Sequence, residues 1–206
     1  MEASDHSLLA RYREGDVEAL SALVERYRRQ LFGYILGMTG GQVEADEVFQ
    51  EVWFRAIRNV DKYKDKNFAG WLVRIAHNLI IDRSRRQKPE VSLDADRDKD
   101  GFGGLELVAA HPDAAEALVE RELGERISTA VAGLPPDQKE VFLMRTQTGM
   151  PFKEIAKLQR TSINTALARM HYALGKLRSL LEDDYRQVTG LDGADAEGLH
   201  PISGGQ

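Results

Sequence analysis

The sequence predicts an all-α chain of two small helical domains joined by an acidic flexible linker. Three observations lead there. Apolar residues recur at helical spacing along most of the chain, with no convincing strand alternation. Composition changes at Pro89, and residues 90–120 carry nine Asp/Glu against two Lys/Arg, a local charge of −7. Further on, a short helix, a three-residue turn and a longer helix follow one another in the layout of a helix-turn-helix.

The elements follow in order. Asp16 can cap a helix whose stripe is Leu20, Leu23, Val24, Tyr27, Leu31, Tyr34 and Ile35, and Gly40-Gly41 breaks it. A second helix, about 44–58, turns Val48, Phe49, Val52, Trp53, Ala56 and Ile57 inward and leaves Asp46, Glu47, Gln50, Glu51 and Arg55 outside. NVDKYKDKN, residues 59–67, reads as a polar loop. FAGWLVRIAHNLIIDRSRRQK then places Phe68, Trp71, Leu72, Ile75, Ala76, Leu79 and Ile80 on one helix face, with Arg74, His77, Asn78, Ile81 and Arg85 on another. This helix runs out into Arg83, Arg85, Arg86 and Lys88, so residues 71–88 hold a local charge of +4 in a chain of net charge −5. Both a polyanion partner and a solvated, dipole-matched helix end suit that concentration. Together these helices predict one domain over 5–88.

Residues 89–112, with Gly101, Gly103, Gly104 and Pro112, have the chemistry of a linker. The second domain spans 113–183. It comprises a helix near 113–132, a helix after Pro135-Pro136 with Val141, Phe142 and Met144, a break at Thr148-Gly149, and the helix-turn-helix. The acidic, Gly-containing tail, 184–206, is expected to be disordered. In the helix-turn-helix, residues 152–178 hold six Lys/Arg against one Glu. Ile155, Leu158, Ile163, Ala166 and Met170 can fill the angle between its helices, small Ala156 allows their approach, and Ser162 can cap the second. Asn164, Thr165, Ala168, Arg169, His171 and Tyr172 fall on or near that helix's exposed face, where they could meet a major groove while Arg169 and Lys176 reach phosphates. An ordinary αα-hairpin fits the same pattern.

Composition narrows the function. At 42% apolar and 30% charged, the chain reads as a globular protein, and no apolar run approaches the roughly 20 residues of a membrane span. The N-terminus lacks a signal-peptide pattern, and the absence of cysteine removes disulfides, thiolate zinc sites and thiol nucleophiles. A cytoplasmic setting follows as the expectation. His6, His77, His111, His171 and His200 are scattered, and neither a phosphate loop nor a nucleophile elbow occurs, so no enzyme, metal or cofactor is expected. Small domains that bury modest cores favour a protein that works docked on partners.

Several motifs carry a resemblance. DEVFQEVWFRAIRNVDKY, FAGWLVRIAHNLIIDRSRR and LPPDQKEVFLMR, followed by the spacing of the helix-turn-helix, resemble regions 2 and 4 of the extracytoplasmic-function (ECF) group of bacterial sigma-70 factors. The match includes Trp71, Leu72, Arg74, Ile75, Ala76, Asn78, Asp82 and Arg86, and covers about residues 8–182. The resemblance implies a factor that binds core RNA polymerase, directs it to promoter DNA and helps melt the minus-ten element. Asp46, Glu47, Gln50, Glu51 and Arg55 would dock on the polymerase clamp helices. Tyr63, Lys64, Lys66, Asn67, Arg74, Asn78, Arg83, Arg85 and Arg86 would engage the minus-ten element. There Tyr63 and Phe68 are candidates to stack on a flipped base, Phe68 being equally suited to the core; Trp71 is assigned to the core. Ser162, Asn164, Thr165, Ala168, Arg169, His171 and Tyr172 would read the minus-thirty-five element. The linker would thread through the polymerase. Two small domains and an acidic linker further suggest a helical anti-sigma factor clamping both, and no membrane insertion of the chain's own is expected.

This sequence departs from the family at the turn, where Gln159-Arg160-Thr161 stands in place of a Leu-Gly-Ile-like segment. Pro151 replaces a hydroxyl cap, and Leu167, Tyr172 and Leu174 stand where basic residues are common. Two other classes compete with the sigma reading. One is a helix-turn-helix activator or repressor with a helical sensor domain, which leaves the 46–88 motifs without purpose. The other is an adaptor that binds only protein.

Overall fold

The computed structural model describes residues 3–64, 67–87 and 114–189. Lys66, Lys88, the linker 89–112 and the tail from 190 onward lie outside the described residues. The helices are α1 (Asp5–Arg13), α2 (Val17–Thr39), α3 (Gln42–Asn59), α4 (Phe68–Gln87), α5 (Ala114–Ala132), α6 (Pro136–Thr148), α7 (Phe152–Leu158) and α8 (Ile163–Thr189). Among the described residues there is no strand.

Helix α1 is an element the stripe analysis does not anticipate. Ser4 caps it by accepting from the Ser7 amide at 3.2 Å, and Leu8 and Leu9 enter the core. Arg26 of α2 fastens it, bonding Asp5 at 2.5 Å and the Ala3 carbonyl at 2.6 Å, while the Tyr27 hydroxyl donates to Asp5. Burial first, and then this acceptor, push the Tyr27 phenol above its ordinary range. The predicted cap of α2 forms: Asp16 accepts from the Glu18 and Ala19 amides at 3.0 and 3.3 Å. A hydrogen bond from Arg11 holds its carboxyl below the usual value, ahead of those amide bonds. Gly40, at φ 78°, ends α2 in the left-handed region that glycine adopts without steric cost.

Part of the expected polar loop is wound into a 3-10 turn, Val60–Lys62, because Val60 is buried and its carbonyl accepts from Arg13 at 2.7 Å. At the other end α8 continues to Thr189, so residues 184–189 are helix where the sequence reading starts the tail. Neither Gly nor Pro occurs between Lys176 and Thr189, and nothing local stops the helix.

The predicted stripes of α2, α3 and α4 form the N-terminal core, with Leu23, Leu31, Tyr34, Ile35, Val48, Val52, Leu72 and Ala76 fully enclosed. That core runs on into the C-terminal half, through Leu134, Val141, Leu143, Met144, Met150 and Ile155. Helix α2 meets α6 about as extensively as it meets α3, and α4 also touches α6 and α7. Val73, off the predicted stripe of α4, is buried for this reason: with Leu31 and Leu72 it faces a small cavity closed by Thr148 of α6. Tyr34 is sealed in the same region. Burial, followed by the charge of Glu140, drives its phenol well above the usual value.

Candidate nucleic-acid interface

Helix α3 presents Asp46, Glu47, Gln50 and Arg55 to solvent, with Glu51 half-buried and bonded to Arg55 at 2.6 Å. Three neighbours outside that set share the surface. Val43 and Phe54 are 75% and 55% exposed, and the Arg58 guanidinium lies 5.3 Å from the centre of the Phe54 ring. Both apolar residues fall off the core stripe of α3, which was the available signal. The outer face is therefore apolar and charged together, as protein-docking surfaces are.

Asn67 heads α4. Its Oδ1 accepts from the Gly70 amide at 2.9 Å, a capping bond, and its Nδ2 donates to Glu154 of α7 at 3.2 Å. Along the outer face Arg74, Asn78, Arg85 and Arg86 are exposed, at spacings that keep Arg74, Asn78 and Arg85 together. Arg83 is half-buried and pairs with Glu47 at 3.1 Å, which joins the candidate polymerase and promoter sets side by side. Lys64 is exposed. Tyr63 is half-buried, its ring 5.0 Å from Trp71 and 5.3 Å from Phe68. Phe68, for which two roles stood open, is core: it is 3% exposed and ringed by Tyr27, Trp53, Tyr63 and Trp71 at 5.3–6.3 Å. A base could not reach its face. Trp71 packs against the same cluster with one side open.

In the helix-turn-helix Ile155, Ala156, Ala166 and Ala173 are buried between α7 and α8, and Leu158 and Met170 are partly so. Ile163 does not join them; it is 46% exposed and shares the outer side of α8 with Leu167 and Leu174. The atypical turn keeps standard helix-ending bonds, Thr161 amide to Ala156 carbonyl at 2.9 Å and Arg160 amide to Lys157 carbonyl at 3.3 Å. Arg160 occupies the left-handed position of that motif at φ 52°, where a side chain is disfavoured. Arg160→Gly is expected to stabilise the protein by about 0.5–1 kcal/mol, read as a higher urea midpoint at unchanged slope. Ser162 caps α8, its Oγ accepting from the Thr165 amide at 3.0 Å.

Asn164, Thr165, Ala168, His171 and Tyr172 are exposed on α8, and Tyr172 is 62% so. Arg169 is differently placed. It donates to the Asp137 carboxylate at 2.5 Å and to the side-chain oxygen Oε1 of Gln159 at 2.7 Å, holding α8 to α6 and to the turn. Gln159 in turn donates to Glu140 at 2.6 Å, and the other oxygen of Glu140 lies 2.6 Å from His77 Nδ1 of α4. A polar chain thus connects α4 to the second helix of the helix-turn-helix.

Residues 23–90 match the family Sigma-70 region 2, and residues 124–177 match Sigma-70, region 4. The ECF RNA polymerase sigma factor SigW of Bacillus subtilis is 30% identical over 188 residues, spanning 89% of this chain and all of that one. The ECF sigma factor BldN of Streptomyces coelicolor is 28% identical, over 87% of this chain and 66% of that protein. Among solved structures, CnrH in complex with the cytosolic domain of CnrY shares the fold at TM-score 0.60 and 22% identity, covering 88% of this chain and 99% of that one. RpoE of Bartonella quintana, solved with the anti-sigma factor NepR, does so at 0.60 and 20%, covering 79% and 96%.

The chain belongs to the ECF group of the sigma-70 family of RNA polymerase sigma factors. It directs RNA polymerase to promoters, and no separate repressor or activator reading is needed. Among the described residues no helix is long and apolar enough to cross a membrane.

Proposed function

We propose that α3 docks on core RNA polymerase through Asp46, Glu47, Gln50, Glu51 and Arg55, and that Val43 and Phe54 add the apolar contact. The minus-ten element then meets Tyr63, Lys64, Lys66, Asn67, Arg74, Asn78, Arg83, Arg85 and Arg86. The observation that carries this reading is the exposed basic face of α4, joined to the acidic side of α3 by the Arg83–Glu47 pair. Two adjacent surfaces of opposite character suit one protein that must hold polymerase and DNA at once. A base drawn out of the duplex would stack at the open edge of Tyr63 and Trp71, offsetting the few kcal/mol that flipping costs.

The minus-thirty-five element is read by Asn164, Thr165, Ala168, His171 and Tyr172. Ser162 and Arg169 hold the reading helix in place, and Arg169 reaches phosphate only by exchanging Asp137 for it. Residues 5–88 and 113–183 act as the two working domains, with 89–112 as the connector through polymerase. The protein works in the cytoplasm and carries out no chemistry of its own. An anti-sigma factor restrains it, a reading supported by the NepR complex of its structural neighbour RpoE.

The test is promoter-specific initiation with purified core polymerase and a promoter library. Transcripts that depend on this protein support the reading. Operator binding with no such transcripts would return the helix-turn-helix regulator instead.

A further inference from the structure

The reading helix α8 carries little of the usual equipment for guanine. The commonest specific contact to DNA is an arginine or lysine on the two acceptors of guanine in the major groove. Between Ile163 and Leu174 the only such residue is Arg169. Its side chain is 25% exposed and doubly held, by the Asp137 carboxylate at 2.5 Å and by Gln159 Oε1 at 2.7 Å. Gln159 is itself anchored, donating from Nε2 to Glu140 at 2.6 Å and to the Asp137 carbonyl at 3.1 Å. Charge-assisted bonds are stronger than neutral ones, so Arg169 is committed to α6 and the turn. Lys176 stands 13 residues beyond Ile163, about 20 Å along the axis, whereas base contacts come from the first turns of such a helix.

What α8 shows instead is largely apolar. Leu167 is 44% and Tyr172 62% exposed. Asn164, Ala168 and His171 join them at three- and four-residue spacings and are exposed too, so the five side chains form one continuous patch. Buried Ala166 and Ala173 mark the opposite side of the helix. Because Ser162 caps α8 just ahead of the patch, the patch occupies its first three turns. The rings of His171 and Tyr172 pack nearly edge to face, with centroids 5.9 Å apart. Base edges in the major groove offer one apolar group, the 5-methyl of thymine. Leucine has nothing to give the acceptors of guanine, but it fits that methyl. Asn164 carries the amide that matches the donor and acceptor of adenine.

We propose that Leu167 and Tyr172 are specificity-determining residues that read thymine by its methyl group in the minus-thirty-five element. Asn164 takes a neighbouring adenine, and Ala168 is small enough to let the helix backbone come close to the bases. Arg169 positions the helix through Asp137 and Gln159 and reads no base. This rests on the proposed sigma function and deepens it, since it adds Leu167 to the reading surface and names the base that the surface selects.

Deoxyuridine supplies the test, because it pairs as thymine does and lacks only the methyl. Full-length protein with core polymerase first selects promoters from a library randomised across the minus-thirty-five element. Each thymine of a selected element, on either strand, is then replaced in turn by deoxyuridine, and promoter affinity is measured. At one or two positions the replacement should weaken binding by about fourfold, the worth of one buried methylene. Leu167→Ala should erase the loss at one of these positions and Tyr172→Ala the loss at the other, a coupling that a merely structural role would not produce. Leu167→Arg should shift the selected sequence toward guanine at the position that Leu167 reads. Both alanine variants should melt with the wild type, since these side chains are exposed. Selected elements that lack thymine, or that tolerate deoxyuridine throughout, overturn the proposal while leaving the sigma function intact. So does a Leu167→Ala variant that keeps the full methyl dependence but binds core polymerase less well, which would give Leu167 to a protein contact. Failure to select any promoter, with no transcript that depends on this chain, sinks the sigma reading and the proposal with it.

Discussion

Replacing Arg74 and Arg85 together by Glu is expected to reduce promoter opening by more than about 100-fold while polymerase binding changes only a few-fold. Both side chains are exposed on the outer face of α4, eleven residues apart, and both lie away from the core stripe of Leu72, Ala76 and Leu79. Charge-assisted hydrogen bonds are worth about 1.5–3 kcal/mol each, so the loss of two accounts for the expected factor before repulsion is added. The salt dependence of promoter binding should also become shallower, by about one unit of slope per phosphate contact removed. Permanganate reactivity of the melted strand reads the opening, and equilibrium binding to labelled core polymerase reads the docking. Equal loss in both assays would mean that α4 serves polymerase rather than DNA. Thermal melts of the variant should match the wild type, since exposed substitutions away from buried networks cost little.

The second large effect concerns Phe68. Phe68→Ala is expected to destabilise the protein by about 3–5 kcal/mol, because it empties the centre of an aromatic cluster. The ring is 3% exposed, with the Tyr63, Tyr27 and Trp71 centroids at 5.3–5.5 Å and Trp53 at 6.3 Å. For a chain of this length the loss corresponds to a melting temperature lower by about 6–20 °C. Phe68→Leu keeps most of the volume and should recover a large part of it. Tyr63→Ala supplies the contrast, since that ring is half-open: its stability cost should be smaller, and its effect on promoter opening larger. Promoter opening that collapses in Phe68→Leu at unchanged melting temperature would restore a base-stacking role to Phe68.

Much of this molecule could be read from its sequence, and the division follows a physical line. The stripes of α2, α3 and α4, the cap at Asp16 and the cap at Ser162 all arise from residues within a turn or two of each other, which local periodicity reports. The Asn67–Glu154 and His77–Glu140 contacts join residues 87 and 63 positions apart, and no local pattern encodes such pairings. Val73 lies off the stripe for the same cause: α4 is covered on two sides, and a single stripe allows only one. Arg169 illustrates a different limit. Its spacing puts it near the DNA-reading face, yet Asp137, 32 positions away, claims its charge. Ile163 shows the reverse, an apolar residue expected in the core and left at the surface. The family resemblance rests on motifs that are local, so it is legible in the sequence alone. The meeting of α2 with α6 is not, although Gly33 and Gly37, where an added Cβ would meet Gln147 and Leu143 of α6, mark the place.

The continuity of the core across both halves bears on how the protein comes apart. A chain built from two independent domains would melt in two steps, each with its own midpoint. Here Leu143 and Met144 are enclosed to the same degree as Leu23 and Leu72, within one cluster that has no seam between them. Heat or denaturant therefore meets a single cooperative unit, with calorimetric and van't Hoff enthalpies in agreement. Damage to α6 is felt at α3, and a clamp on either half steadies both.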